Sequence, residues 1–249
     1  MSENNAYETL NQSVMSNVLV LCDHASNRVP PDVNNGSLGI SNADMNRHIA
    51  FDIGARDTAL LLAKALKAPM LASRFSRLVI DPNRGEDDPT IMMKIYDHTV
   101  VEGNRNADAA EKQRRIEAYH RPYHEAIDAA LGEILARGET PVIISIHSYT
   151  PQLNGRPKRP WHIGVLWDDD ARMPVPLMEK LAAHRDITVG NNEPYSGELR
   201  GDTMYLHATR NGYPHVLIEL RHDLIDSPEG QAKWAAILAK PLCEIIQTL

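Results

Sequence analysis

The chain has 249 residues, of which 43% are hydrophobic and 24% are charged, the composition of an ordinary globular protein. Its 26 basic and 33 acidic residues leave a net charge of −7, which disfavours binding to nucleic acid or to an anionic membrane surface. Two cysteines, Cys22 and Cys243, exclude a disulfide scaffold and a cysteine-rich zinc module. With no apolar run of about 18 residues and a polar, signal-free N-terminal segment, we expect a cytoplasmic protein.

Strands alternate with helices along the chain. Residues 1–16 predict a loosely held lead-in, and the apolar run 17–22 predicts a buried strand. The further predicted elements are a helix over 49–67, a strand at 78–80, a helix over 109–136 that Pro122 kinks or splits, strands at 141–146 and 163–167, a helix near 175–185, a strand at 215–220 and a helix near 228–247. This alternation predicts a three-layer α/β sandwich with a largely parallel mixed sheet, in one domain over residues 17–249.

Polar side chains follow four of the predicted strands. His24 follows the first strand, Asn83 and Arg84 follow the second, His147 follows the third, and Glu219 lies at the end of the last. Open α/β sheets bind their ligands outside the carboxyl ends of the strands. Two neutral imidazoles with a carboxylate are the ligand set of a catalytic zinc, whose fourth position is left for water. The sequence therefore indicates a metal-dependent hydrolytic site.

Other catalytic patterns fit less well. The chain has no G-x-S-x-G nucleophile elbow and neither of the glycine-rich loops that cradle nucleotide phosphates. The pair His124-Glu125 begins an H-E-x-x-H pattern, but position 128 is an aspartate. These absences favour the strand-end site.

The same residues carry a family resemblance. Segments 145–149 (SIHSY), 79–84 (VIDPNR) and 218–221 (IELR) resemble three segments of the zinc carboxypeptidases, in the same order along the chain. A closer resemblance, over about residues 17–225, is to the N-formylglutamate amidohydrolase family. It is carried by His24 to Pro30, Asp44 with His48, 76–84, 122–124, 147–148 and Glu219.

The resemblance implies a zinc-carboxypeptidase-like fold and a zinc-dependent hydrolase that cleaves the amide bond of an N-acyl amino acid, with N-formyl-L-glutamate as the type substrate. It implies one zinc ion per chain, bound by His24 and His147. In the carboxypeptidases a ligating glutamate follows the first histidine by three residues, and here Asn27, a poor zinc ligand, stands at that place. We therefore expect Asp44, which accompanies His48 in the family pattern, to be the third ligand.

The resemblance also implies the remaining roles. Glu219 would act as the general base and pass its proton to the leaving amine. Arg77 and Arg84, with Asn83, would hold a substrate carboxylate, a task that suits the guanidinium fork. His207 would lie on the substrate side, where it would polarise the scissile carbonyl or bind a second carboxylate.

Two alternatives stay open at this point. The same metal site would serve a peptidase or a deacylase of another small carboxylate-bearing amide. A metal-free binding protein on the same fold is the other alternative, and metal content separates it from the enzyme. The expected partner is a small acylated amino acid, with no nucleic acid and no membrane, and the sequence sets no oligomeric state.

Overall fold

The computed structural model describes residues 6–249, so residues 1–5 of the predicted lead-in lie outside the described residues. Its strands are β1 (Tyr7–Leu10), β2 (Val18–Cys22), β3 (Met70–Ser73), β4 (Ile95–Tyr96), β5 (Thr99–Val100), β6 (Val142–Tyr149), β7 (Ile163–Leu166), β8 (Val189–Asn191) and β9 (His215–Arg221). Seven of them form one sheet in the order β1-β3-β2-β6-β9-β7-β8, while β4 and β5 pair as a separate hairpin. Only the β1–β3 and β7–β9 pairs of that sheet are antiparallel, which confirms the predicted largely parallel mixed sheet.

Helices connect these strands. They are α1 (Asn42–Met45), α2 (Ala55–Ala65), α3 (Glu102–Arg105), α4 (Ala109–Arg115), α5 (Arg121–Ala136), α6 (Pro174–Ala182), α7 (Thr203–His207) and α8 (Pro228–Ile246). A π-helical turn, Ile116–His120, joins α4 to α5, and Pro122 follows it in the first turn of α5, so the predicted interruption of the long helix is confirmed. A search of the described helices finds none that is long and apolar enough to cross a membrane.

The three central strands β2, β6 and β9 are buried on both faces, because helices cover both. On one face their alternate side chains join a cluster with α2, α6 and α8. On the other face Leu21, Ile143 and Leu217 pack against α5 and α7. Each fully buried leucine or isoleucine contributes about 1.5–3 kcal/mol relative to exposure, so this double-sided burial fixes the strands from which the site is built.

Three local predictions differ from the structure. Residues 78–80 form a buried turn, not a strand, because these apolar side chains pack in a separate cluster beside the π-helical turn. The strand in this region is β3, at Met70–Ser73. The predicted helix over 49–67 begins only at Ala55, and part of the lead-in forms the edge strand β1, which pairs with β3.

Candidate active site

The two predicted histidines meet at the carboxyl edge of the sheet. His24 follows β2, and His147 lies near the end of β6, the parallel neighbour of β2. Their ring centroids are 5.0 Å apart with the rings nearly perpendicular, and each residue is only 2% exposed. Adjacent parallel strands end side by side, which is why residues far apart in sequence are brought together here.

Asp52 completes this cluster. Its Oδ2 atom lies 3.3 Å from His24 Nδ1 and 2.9 Å from His147 Nδ1, and it accepts a hydrogen bond from the Ser148 backbone N–H at 3.2 Å. One ligand atom from each of the three residues lies within 4.8 Å of the others, the spacing of a possible metal site. Gly54, with φ of +75°, lets the chain turn from Asp52 into α2, and a Cβ there would lie 1.9 Å from the Ile225 carbonyl oxygen.

Two further carboxylates hold the outer sides of the histidine rings. His24 Nε2 lies 2.7 Å from Asp81 Oδ1, and His147 Nε2 lies 2.9 Å from Asp23 Oδ2. The Tyr123 hydroxyl donates to the other Asp23 oxygen at 2.7 Å. Metal-ligating histidines commonly donate their second ring N–H to a carboxylate, which fixes the ring orientation. With both Nδ1 atoms facing Asp52, the donor set of two imidazole nitrogens and one carboxylate fits zinc.

The electrostatics of this cluster reflect its burial. Burial works to raise the pKa of Asp52, but the charges and hydrogen bonds of His24 and His147 lower it below its usual range. Burial works to lower the pKa of His147, and the hydrogen bonds from its ring to Asp23 and Asp52 outweigh that effect and raise it. The carboxylates are therefore ionised, as ligands and their supporting groups must be.

Asp44 does not join this cluster. It lies in the first turn of α1, where its carboxylate accepts hydrogen bonds from the Ser41 hydroxyl at 2.7 Å and from Arg47 at 2.9 Å, and its side chain is 29% exposed. The structure therefore does not bring Asp44 to the two histidines, and the carboxylate that lies between them is that of Asp52. Asn27 donates to the Met45 carbonyl at 3.0 Å and ties its loop to α1.

Glu219 lines the same cleft as the histidine cluster. It is paired with His147 in the parallel register of β6 and β9, and it is 8% exposed. Its Oε2 atom is buried and has no hydrogen-bond partner among residues 6–249, and burial raises its pKa to about 7. On the antiparallel neighbour β7 the paired residue is Gly164, where a Cβ would lie 2.1 Å from the Glu193 carbonyl oxygen. A buried, unpartnered carboxyl group beside a possible metal site is a good candidate for a general base.

The predicted substrate-binding residues Arg77, Asn83 and Arg84 line this cleft as well. Arg77 already pairs with Asp81 at 2.7 Å and approaches Asp52 at 3.6 Å, so much of its charge is balanced within the protein. Arg84 donates to the Asn83 carbonyl at 2.7 Å and has no acidic side chain within ion-pair distance among residues 6–249. Arg84 is therefore the better placed of the two arginines to bind a substrate carboxylate.

His207 does not line this cleft. Its Nε2 is 2.7 Å from His124 Nδ1 and its Nδ1 is 2.9 Å from Asp128 Oδ1. It lines a separate cavity with His120 and His124, beneath the backbone of residues 82–84. The expected contact between His207 and the substrate is not supported by this placement, because its ring is committed to the neighbouring histidine and aspartate.

The empty space in and over the cleft is about 870 Å³, with the open solvent at its mouth included. Four aromatic side chains line it beyond the polar cluster: Tyr96, Tyr149, Trp167 and Tyr195. Asp202, which the sequence analysis did not select, also faces it and caps α7 by accepting the Tyr205 N–H at 2.7 Å. Burial raises the pKa of Asp202 to about 7. The arrangement defines an α/β protein with a deep cleft and a possible metal centre at the carboxyl edge of its sheet.

The chain belongs to the N-formylglutamate amidohydrolase family, whose sequence model matches residues 16–226. The family resemblance noted from the sequence is thus confirmed, and it is a family of hydrolases that act on amide bonds. No curated protein matches the chain.

Several solved structures are similar to it, including the following two. One is the gene product Atu2144 from Agrobacterium tumefaciens, with 34% identity, a TM-score of 0.92, and coverage of 99% of this chain and 97% of that chain. The other is the N-formylglutamate amidohydrolase from Ralstonia eutropha JMP134, with 19% identity, a TM-score of 0.70, and 98% of each chain covered. At that identity the second likeness shows the fold alone.

Proposed function

We propose that this protein is a zinc-dependent amidohydrolase that cleaves the amide bond of an N-acyl amino acid, with N-formyl-L-glutamate as the reference substrate. The observation that carries the proposal is the cluster in which Asp52 faces both histidine Nδ1 atoms while Asp81 and Asp23 hold the Nε2 atoms. A binding protein has no need for histidines oriented in this way. The three segments that resemble those of the zinc carboxypeptidases also favour a metal-dependent hydrolase.

The residues around the metal site divide the chemistry between them. His24, Asp52 and His147 would hold the ion, which when bound supplies a Lewis acid for water activation and carbonyl polarisation. Glu219 takes a proton from the attacking water and transfers it to the nitrogen of the leaving amine. Its raised pKa of about 7 suits both steps near neutral pH, since the carboxyl group gains and loses a proton readily there.

The substrate carboxylate is bound by Arg84 together with Asn83. The Asn83 side-chain oxygen accepts the Thr203 N–H at 3.0 Å, and the Asn83 N–H donates to Asp81 at 2.9 Å, so the loop is held at both ends. A guanidinium group binds a carboxylate through two parallel hydrogen bonds, which orients the amide toward Glu219. Rigid placement of this kind lowers the entropic cost of reaching the transition state.

The test is elemental analysis of protein purified without chelator, followed by assay of formate release from N-formyl-L-glutamate. We expect about one zinc per chain, activity that a chelator abolishes and added zinc restores, and loss of activity in Glu219→Gln with zinc retained. Asp44→Asn is the matched control, because Asp44 lies outside the cluster, and it should keep both zinc and activity. A protein that holds no metal, cannot be reconstituted and still binds an acylamino acid would be a binding protein.

A further inference from the structure

Two buried histidines contact the segment of residues 82–84 from outside the cleft. His120, the last residue of the π-helical turn, places its Nε2 atom 2.8 Å from the Arg84 carbonyl oxygen. His124, in the first turn of α5, places its Nε2 atom 2.9 Å from the Pro82 carbonyl oxygen. The two histidines are 3% and 9% exposed, and neither lines the cleft. The 82–84 segment is therefore held at both of its ends.

The chemistry of these contacts fixes the positions of the ring hydrogens. A carbonyl oxygen can only accept a hydrogen bond, so each Nε2 atom carries a hydrogen and donates it. Burial lowers the pKa of His120 and of His124, which keeps both rings neutral at pH 7. A neutral imidazole has a single N–H group. Each ring therefore commits its one donor to the 82–84 segment.

The His120 side chain makes no other hydrogen bond among residues 6–249. Its Nδ1 atom is buried there without a partner, which costs free energy that an apolar side chain would avoid. Within the same residues, His120 is the sole donor to the Arg84 carbonyl, whereas the Pro82 carbonyl also accepts the Thr203 hydroxyl at 3.3 Å. Because the ring is destabilising in this respect, its single contact with the Arg84 carbonyl points to a role in function.

The orientation of the 82–84 segment decides where its side chains point. The Asn83 side-chain oxygen accepts the Thr203 N–H at 3.0 Å, which leaves the Asn83 NH₂ group for a carboxylate. Arg84 Nη1 donates to the Asn83 carbonyl at 2.7 Å, so the guanidinium group is oriented by the backbone of the same segment. A rotation of either peptide unit would therefore move both donor groups relative to the cleft.

We propose that His120 and His124 are positioning residues of the substrate site. They hold the carbonyl groups on either side of Asn83 and thereby orient Asn83 and Arg84 toward the substrate carboxylate. The proposal rests on the amidohydrolase function proposed above and deepens its account of substrate binding. Neither histidine contacts the substrate, so loss of its N–H donor should weaken substrate binding and leave the chemical step nearly unchanged.

Matched substitutions of His120 test this role. The amide of His120→Gln can still donate to the Arg84 carbonyl, whereas His120→Met has a side chain of similar length without a donor. In hydrolysis of N-formyl-L-glutamate by the zinc-loaded protein, His120→Met should raise KM about five- to tenfold and change kcat less than twofold. His120→Gln should restore most of the affinity. Equal KM increases in the two variants would overturn the positioning role.

Two further variants serve as comparisons. His124→Met should raise KM less than His120→Met does, because the Thr203 hydroxyl still binds the Pro82 carbonyl. His184→Met makes the same substitution at an exposed histidine after α6, and it should keep the wild-type KM. Zinc content should be the same in all of these variants, which shows that they fold.

A double-mutant cycle separates positioning from a general loss of structure. In the Arg84→Ala background, His120→Met should lower kcat/KM less than about twofold, because the guanidinium group that it displaces is gone. A merely structural role predicts the same five- to tenfold loss with and without Arg84. Equal losses in the two backgrounds would therefore overturn the proposal.

Binding of L-glutamate, a product of the proposed reaction, distinguishes this proposal from the amidohydrolase function because it needs no turnover. In calorimetry with zinc-loaded protein, Kd should rise about five- to tenfold in His120→Met and recover in His120→Gln. This pattern without hydrolysis of N-formyl-L-glutamate would overturn the amidohydrolase function and leave the positioning role standing. Hydrolysis with equal glutamate binding in wild type and His120→Met would overturn the positioning role alone. A protein that neither hydrolyses N-formyl-L-glutamate nor binds L-glutamate would overturn both.

Discussion

Replacing Glu219 by glutamine should lower activity and raise stability at the same time. The substitution keeps the shape of the side chain in its space beside Gly164 and removes only the ionisable oxygen. A general base commonly contributes 10²–10⁴-fold to the rate, or about 3–5 kcal/mol of barrier, and turnover should fall by that amount. Zinc content should not change, because Glu219 is not one of the three residues proposed to bind the ion.

The gain in stability follows from the pKa of the carboxyl group. Burial raises the pKa of Glu219 to about 7, against an ordinary 4.5, so the folded protein holds this proton to higher pH than the unfolded chain does. The free energy of unfolding therefore falls by about 3 kcal/mol in total as the pH rises from about 4.5 to about 7. Above pH 7 the Glu219 carboxyl group is ionised in both states and does not change the free energy of unfolding further. Glutamine carries no charge, so the variant should lose this decrease.

Urea unfolding of chelator-treated wild type and Glu219→Gln at about pH 5, 7 and 9 measures the effect. The two proteins should have similar stability at the lowest pH, and the variant should be the more stable by about 3 kcal/mol at the highest. Equal stability at pH 9 would show that the buried carboxylate is not destabilising, and its role as a base of raised pKa would be refuted. Loss of zinc from the variant would make Glu219 a ligand.

Three further predictions concern the proposed metal site, the substrate, and the histidines of the separate cavity, His120, His124 and His207. Asp52→Asn should weaken zinc binding more than tenfold in a chelator competition assay, whereas Asp44→Asn should change it less than about twofold; similar losses would contradict the ligand assignment. Arg84→Ala should raise KM about 10- to 100-fold with a smaller change in kcat, and an unchanged KM would remove Arg84 from the carboxylate site. Burial and the neighbouring histidines lower the pKa of His124 to about 3, so the free energy of unfolding should decline as the pH falls below about 6.5. In urea titrations His124→Gln should show a shallower decline than the wild type. An identical decline in both proteins would contradict the lowered pKa of His124.

The central strands were predictable because strands buried on both faces form continuous apolar runs, as in 17–22 and 141–146. The short strands toward the two sides of the sheet lack that signal, and β1, β3 and β8 were not predicted. β1 and β3 have four residues each, and β8 has three. The antiparallel direction of β7 could not be predicted from the sequence, because the preceding loop, residues 150–162, is compatible with either direction.

The site was predictable where a strand leads into it. His24, His147 and Glu219 each lie at the end of a central strand, and the structure brings all three to one cleft. Asp52 was missed because it lies inside a segment with helical spacing, and the local signal for it was the following Gly54, which delays the start of the helix. Asp44 lies in the first turn of α1, where its backbone N–H donates to the hydroxyl oxygen of the capping residue Ser41, so the segment that suggested a ligand is a helix start.

His207 shows the limit of carrying a role over from a family segment. Its neighbours in sequence, Asp202 and Met204, do face the cleft, but His207 is further along a short helix and faces α5 instead. The partners that decide its orientation, His124 and Asp128, are about 80 residues away in sequence. A contact between residues so far apart in sequence cannot be predicted from a local sequence pattern.

The histidine cluster also links the site to the folding of the whole chain. The contacts of this cluster join distant parts of the sequence. His147 lies 124 residues after Asp23 and 95 residues after Asp52, and Glu219 comes after His147 in the chain. Contacts of this range exist only when the distant parts of the chain have folded together. A zinc ion bound to such a cluster binds only the folded chain, so its binding free energy adds to the stability of the entire molecule. Metal supply would then regulate how long each copy of the protein survives, as well as how many copies are active.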